Sequence, residues 1–422
     1  MPSLGTTFAL LAGLLLLQSL LSLLDGFRFR RLARRALAQR LGGDYQPRAA
    51  LILPSKGLTP DFEANVTSFL EQDYPSYQLI FSVASRDDPA YRRLSERLAG
   101  LHSASARSPA PAPAPAPTHT GPRKVSLVVA GFSDERGEKV NNMLRALEAV
   151  DAEAEVLAFA DVDARPGPNW LRALVAPLVS PSVTASTGFR WYLPGCGFAS
   201  QLRAAWDTSI TTTFSERSQH LVWGGSMAMR AADFRRLRIA ERYWAHTASD
   251  DYAVARAVRD WGGRIRFEPR CLVASREDSS FAEFVRWANR QIILTRVYAL
   301  RLWALGLASY ALYGVTFVMG GLALARPERT AEERVAVAAA LLTVILLGAA
   351  KGAIRTQVAR ELFPEERATL DRCGARYWQL APLVPWVMLF NFVVAAFTRR
   401  IRWGGVQYTL LPNQVRVRRL SG

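Results

Sequence analysis

Cysteine and histidine are scarce in this chain: its 422 residues include three cysteines and four histidines. Cys196, Cys271 and Cys373 are odd in number and far apart, which excludes a disulfide framework and a zinc site of paired cysteines, and fits a reducing compartment. The histidines have no ligand spacing, and His246 reads as a local polar residue. Acids are also in short supply, 36 against 53 lysines and arginines, for a formal net charge of +17. An excess of that size raises nucleic-acid binding, in which clustered cations neutralise phosphates. Its placement argues against such a partner. The basic residues crowd at 28–40, 286–301 and 399–419, beside apolar runs, where Lys and Arg meet anionic headgroups and set topology.

What the chain has in quantity is apolar sequence, 50% of its residues. The run "FALLAGLLLLQSLLSLL" (8–24) is followed by the acid-free, arginine-rich "RFRRLARRALAQR" (28–40). A cleaved signal peptide carries its charge before the apolar run, so this order predicts an uncleaved anchor with the bulk of the chain cytoplasmic, as expected at a cell inner membrane. Three further stretches, 303–325, 335–354 and 379–397, approach the ~20 residues that cross a bilayer. Three full spans would leave the basic, acid-free tail outside, against the positive-inside rule. One of them is therefore expected to be re-entrant or interfacial, the suspects being the third, entered through Pro382 and Pro385, and the second, ended by Lys351.

Between the anchor and these stretches, apolar strands alternate with amphipathic helices. "AALILP" (49–54), "QLIFSVA" (78–84) and "KVSLVVAG" (124–131) read as strands and "DFEANVTSFLEQ" (61–72) as a helix. The pattern predicts an α/β fold, a mostly parallel sheet with helices on both faces. Residues 102–122 interrupt it with alternating Pro and Ala and are expected to extend as a surface insertion.

The segment "LAFADVDARPGPNWL" (157–171) carries the chemistry. An apolar strand ends there in two aspartates one residue apart, and alternation points Asp161 and Asp163 to the same side, where both reach one hard divalent cation. A solvated turn is the alternative reading. In open α/β sheets ligands bind beyond the carboxyl ends of the strands. There the sequence places Lys56 and Gly57 after the first strand, Arg86, Asp87 and Asp88 after the second, and Asp161 and Asp163 after a later one; with Lys139 they could surround a ligand bearing a base and phosphates, or singly be ordinary loop charges.

In order along the chain come "PSKG" (54–57), "FLEQDYPSYQLIFSVASRDDPA" (69–90), "KVNNM" (139–143), "ADVDA" (160–164), "WGGSMAMR" (223–230), "SDDYAVARAVRDWGGRI" (249–265), an Arg-Trp pair at 286–287 and "IRWGGVQYTL" (401–410). This series resembles the membrane-bound family-2 glycosyltransferases with the GT-A fold, most of all the ceramide glucosyltransferase type. The resemblance implies a Rossmann-like, nucleotide-sugar-binding domain over 45–296, between an anchor at 1–27 and a membrane domain at 297–400, with a basic cytoplasmic tail at 401–422. It implies a hexose donor, UDP-linked, and a lipid acceptor such as a ceramide or hopanoid. Asp161 and Asp163 would bind Mg2+ or Mn2+, with Lys139 beside the diphosphate and Asp87 or Asp88 on the nucleoside; the family's usual nucleotide aspartate corresponds to Ser85. Asp251 would be the catalytic base of an inverting displacement and Asp250 would orient it, although Ser249 and these acids also suit a helix N-terminus. Gly224 and Gly225 would lie beside donor sugar and acceptor. The Gln/Arg-x-x-Arg-Trp pattern is broken by Glu283, so Arg286, Trp287 and Gln291 are the candidates there, with Arg290 and Arg296 just downstream. A processive polysaccharide synthase and a catalytically silent membrane scaffold are the competing readings.

Overall fold

The computed structural model describes residues 4–41, 45–59, 61–107, 121–195, 197–215, 221–373 and 376–420. Cys196 and most of the Pro/Ala-rich stretch lie outside them. The chain forms α1 (Leu4–Ala38), β1 (Ala49–Pro54), α2 (Phe62–Leu70), β2 (Tyr77–Val83), α3 (Pro89–Arg107), β3 (Lys124–Val129), α4 (Glu138–Leu147) and β4 (Val156–Ala160). Then come α5 (Trp170–Val175), β5 (Val183–Tyr192), α6 (Phe198–Thr211), β6 (Ser226–Arg230), α7 (Ala231–Arg236), α8 (Asp250–Asp260) and β7 (Arg264–Ser275). The last part holds α9 (Phe281–Tyr298), α10 (Leu300–Leu324), α11 (Ala331–Leu362), α12 (Arg367–Cys373), α13 (Arg376–Gln379) and α14 (Val384–Phe397). Three strands, β8 (Arg400–Trp403), β9 (Val406–Leu411) and β10 (Gln414–Arg419), close it. Two compact units result: an α/β unit of Gln39–Arg190, Glu216–Ser275 and Arg400–Gly422, and a helical unit of Met1–Ala38, Trp191–Ser215 and Arg276–Arg399.

In the α/β unit the sheet has the order β3-β2-β1-β4-β6-β5-β7. β1, β2, β3 and β4 are parallel, as expected of a mostly parallel sheet, and β6, antiparallel to both β4 and β5, makes the sheet mixed. A strand buried on both faces gives the same apolar run whichever way it points, so the pattern does not carry its direction. The reversal matters for the site: Ser226 pairs with Ala160, so β6 starts where β4 ends. Side chains alternate between two cores. Leu51, Leu53, Leu79 and Phe81 pack with Phe69 of α2, Leu94 of α3 and Leu171 of α5, whereas Ile52, Ile80 and Phe159 pack with Met143 of α4, Phe234 of α7 and Val254 of α8.

The tail is a separate antiparallel sheet, β10-β9-β8, within the same unit. Trp403 pairs with Val406 across Gly404 and Gly405, both at positive φ (56° and 75°), a two-residue hairpin turn that glycine adopts without steric cost. The Tyr408 hydroxyl accepts the Glu138 N–H at 3.3 Å, and Arg419 pairs with Asp134 at 3.0 Å, so the tail braces the entrance of α4.

In the helical unit, α1, α10 and α11 are long and apolar enough to cross a membrane. Many of their large apolar side chains, among them Leu10, Leu17, Leu305, Val318 and Leu346, are exposed, while others such as Leu15 and Val344 are buried. The stretch 379–397 resolves differently: its helix, α14, has 14 residues, about 21 Å at 1.5 Å per residue against a hydrocarbon core of ~30 Å. The aromatic-rich 189–214 is mostly interior. Trp206 donates to Asn391 Oδ1 at 3.0 Å and Trp191 to the Tyr377 hydroxyl at 3.1 Å, both indoles being buried.

Candidate functional site

Four short segments of the α/β unit meet at the carboxyl end of β4. Asp161 and Asp163 leave that strand, and α4 presents Lys139 from its first turn. Segment 247–251 enters α8, and Trp223, Gly224 and Gly225 lead into β6. The Gly137 N–H donates to Thr247 O at 2.9 Å, which ties the starts of α4 and α8 together. Lys139 is the hub: its ammonium lies 2.7 Å from Asp161 Oδ1 and 3.1 Å from Asp250 Oδ2. Burial pulls this ammonium down, but the charges of Asp161 and Asp250 and the Asp161 hydrogen bond outweigh it and hold Lys139 well above the ordinary lysine range.

Arg190, at the end of β5, was not among the expected residues. Its guanidinium grips both oxygens of Asp163, at 2.6 and 3.1 Å, reaches Asp161 Oδ2 at 3.4 Å, and lies 5.2 Å over the Trp223 ring. Burial alone would raise the Asp163 carboxyl; the adjacent guanidinium overrides it and holds the group below the usual range. A lone arginine in an apolar strand gives no motif, which is why sequence reasoning passes over it. Trp223 had a signal, its place directly before the two glycines.

The glycines are required by space. A Cβ on Gly224 would overlap Asp250 Oδ2 and come within 2.9 Å of Lys139 Nζ, and one on Gly225 would come within 2.6 Å of Asp161 Oδ2. Backbone thus passes through the centre of the charge network, as only glycine permits.

Asp250 is buried, and the Trp244 indole donates to its carbonyl at 3.1 Å. Asp251 is half-buried; its Oδ1 accepts the Tyr252 N–H at 2.7 Å and the Ser249 hydroxyl. Ser249 also caps α8 by accepting from Tyr252 N, so serine and Asp251 share that N–H at the start of the helix. Burial first, then the charge of Asp250, raises Asp251 to about 6.

Along the same sheet edge, Lys56 forms an ion pair of 2.6 Å with Glu138. Asp88 Oδ1 accepts from Gly57 N at 2.8 Å and Ala90 N at 2.9 Å, joining the β1 loop to the start of α3, so this carboxylate is committed to backbone. Asp87 is exposed, and Ser85 Oγ donates to it at 3.0 Å.

Arg286, Trp287 and Gln291 belong to the helical unit, on α9. Glu283, where the family pattern has Gln or Arg, closes a capping box with Ser280 at the start of this helix. Trp287 packs edge-on to Tyr192 and Trp206, with ring centres 5.4 and 5.1 Å apart, and the Arg203 guanidinium lies 4.7 Å from its ring. Arg286 is exposed and Gln291 half-buried.

Asp161 and Asp163 fit a divalent cation. They supply hard carboxylate oxygens on one side of a strand end, and a cationic group of this chain, the Arg190 guanidinium, already bridges them. Among the described residues no third Asp, Glu, His or Cys joins them in a metal-ligand cluster.

Among solved structures, the chain is similar to the mannosyltransferase PcManGT from Pyrobaculum calidifontis in complex with GDP-Man and Mn2+. The match is at 16% identity over 92% of this chain and 97% of that one, with a TM-score of 0.46. It is also similar to glucosyl-3-phosphoglycerate synthase from Mycobacterium tuberculosis in complex with Mn2+ and UDP-glucose. Here identity is 16% over 59% of this chain and 79% of the other, with a TM-score of 0.33. The family described as glycosyl transferase family 21 matches residues 15–106 and 120–415. Matched over nearly its whole length, the chain belongs to glycosyl transferase family 21, the ceramide glucosyltransferase-like group that its ordered motifs resemble.

Proposed function

We propose that this glycosyltransferase moves a single hexose from a UDP-sugar to the hydroxyl of a lipid, with inversion, at the cytoplasmic face of an inner membrane. The observation that carries this reading is Lys139, whose ammonium joins Asp161 on the diphosphate side to Asp250, next to the base, within 3.1 Å. One cation thus spans the distance between leaving group and attacking hydroxyl.

Asp161 and Asp163 would hold Mg2+ or Mn2+, which when bound neutralises the diphosphate and assists its departure. Lys139 adds a fixed positive charge there, and Lys56 a second at the sheet edge. Asp251 takes the acceptor hydroxyl proton while that oxygen attacks the anomeric carbon; the bond to the phosphate oxygen breaks and its electron pair leaves with the nucleoside diphosphate. A base near 6 is ionised at neutral pH yet still basic enough to accept the proton. Asp250, held by Lys139 and Trp244, orients the start of α8. Gly224 and Gly225 keep side chains out of the space for the sugar. Asp87, exposed and less committed than Asp88, is assigned to the nucleoside. By motif alone, Arg286, Trp287 and Gln291 are assigned to donor and acceptor binding.

A lipid acceptor is supported by the exposed apolar surfaces of α1, α10 and α11, too extensive for water. Membrane crossing by these three, with α14 not spanning, returns the chain after α11 to the side of the central sheet. The contact of Tyr408 with Glu138, which keeps the tail strands with the central sheet, supports this reading.

The test is transfer from labelled UDP-glucose, UDP-galactose or UDP-N-acetylglucosamine by membranes carrying the full chain, with Mn2+ or Mg2+. Lipid extract is then separated from polymer. Label in a discrete lipid, lost in Asp251→Asn, is the expected result. Label in insoluble polymer indicates a processive synthase, and no mutant-sensitive transfer with any donor overturns the reading.

A further inference from the structure

We infer that Arg190 is the occupant of the metal seat before the donor arrives, and that it moves to the donor diphosphate when a divalent cation displaces it. The inference rests on the donor-site reading above and deepens it. Two carboxylates at a strand mouth repel one another unless a cation lies between them. Here that cation belongs to the protein: Arg190 makes a two-point contact with Asp163, at 2.6 and 3.1 Å, and a longer one with Asp161 Oδ2 at 3.4 Å. Lys139 takes the other oxygen of Asp161 at 2.7 Å. Both aspartates are thus neutralised before any metal binds, and an incoming ion must compete with a planar, permanently charged fork suited to carboxylates.

A guanidinium displaced from carboxylates has a second partner of matching geometry in a diphosphate, whose oxygens it also binds by two parallel hydrogen bonds. Trp223 lies under the guanidinium at 5.2 Å and directly precedes the two glycines of the site, so the side chain has an aromatic surface along which to turn. The consequence is thermodynamic coupling. The cation alone binds weakly because it must expel Arg190, whereas cation with nucleoside diphosphate binds well because the expelled charge finds a new partner. By linkage, each then strengthens the other by the same factor.

The measurement uses full-length protein in detergent or nanodiscs: free Mn2+ is titrated by electron paramagnetic resonance with and without UDP or GDP, in wild type, Arg190→Gln and Arg190→Lys. Arg190→Gln is expected to bind Mn2+ alone roughly tenfold more tightly than wild type, inside the usual range of coupling between linked sites, and to gain less from nucleotide. Arg190→Lys, which keeps the charge but not the fork, is expected to fall between them, and it carries the test if Arg190→Gln does not fold. If nucleotide still binds but both variants take up Mn2+ no more tightly than wild type, Arg190 only braces the aspartates and the inference is overturned. If wild type binds neither nucleotide with or without Mn2+, the donor-site reading itself falls, and this one with it.

Discussion

Asp251 owes its character to burial and to three neighbours. Burial and the Asp250 charge raise its carboxyl from an ordinary 3.8 to about 6, while the Ser249 hydroxyl and Tyr252 N–H hold it in position. A base must be ionised to act, so kcat/KM should fall about tenfold per pH unit below about 6 and show no loss from this group above it. The same shift has a stability consequence. A carboxyl whose folded pKa is raised favours the fold when protonated, so stability falls as pH rises from about 4 to about 6 and stays lower above. Asp251→Asn should therefore lose transfer by about 10²–10⁴-fold while its melting temperature at pH 7.5 rises by a few degrees, measured by donor turnover and thermal unfolding of one preparation. Gly224→Ala tests the opposite kind of residue. Its methyl would meet Asp250 and Lys139, so either the backbone moves or the ion pair opens, at a cost of about 1–3 kcal/mol and with loss of nucleotide binding in titration calorimetry. Asp161, Asp163, Asp250, Asp251 and Lys139 drew attention as candidates because they stand in motifs, and the fold brings Lys139 to Asp161 and Asp250. Arg190 was not, since its value comes from where β5 ends, and the backbone duty of Asp88 depends on a contact with Gly57, 31 positions away.

Between elements, the direction of β6 and the tail strand β9 decide the most. Had β6 run parallel to β4, the Trp-Gly-Gly segment before it would lie at the far edge of the sheet, away from Asp161 and Lys139. Antiparallel pairing of Ser226 with Ala160 brings it to them. β9 supports α4 from outside through the buried Tyr408 hydroxyl. Tyr408→Phe should leave the Glu138 N–H without an acceptor at the helix entrance, cost about 1 kcal/mol, and weaken nucleotide binding while the dependence of kcat on pH stays unchanged. In the helical unit, Trp206→Ala should be far costlier, about 3–5 kcal/mol, because it empties a fully buried site and leaves the Asn391 oxygen unpaired. Strands β1 and β2 and helix α2 were legible within a residue or two from apolar periodicity. The tail sheet was not, because Arg alternating with Val in "VRVRR" reads equally as a charged tail and as an exposed strand.

For the molecule as a whole, the parity of membrane crossings is the main consequence. α10 and α11 are long and apolar enough to span and α14 is only about 21 Å long, so on the proposed reading two crossings lie between the central sheet and β8–β10. Cysteines introduced at Arg264 and Arg416, both exposed, should react with an impermeant maleimide from the same side of sealed vesicles, and one at Arg326, between α10 and α11, from the other. Opposite labelling of Arg264→Cys and Arg416→Cys would rule out this topology.

By itself the sequence determined the class of fold, the apolar helices long enough to span, and the acids and lysine that the folded chain gathers at the end of β4, because these depend on local periodicity and on residue types whose chemistry is strong wherever they stand. Tertiary structure decided the antiparallel entry of β6, the length of α14, the strands of the tail and the grip of Arg190 on Asp163. Each of these is a pairing or termination between distant segments, and a buried apolar run or a single charge has the same composition whichever partner it meets.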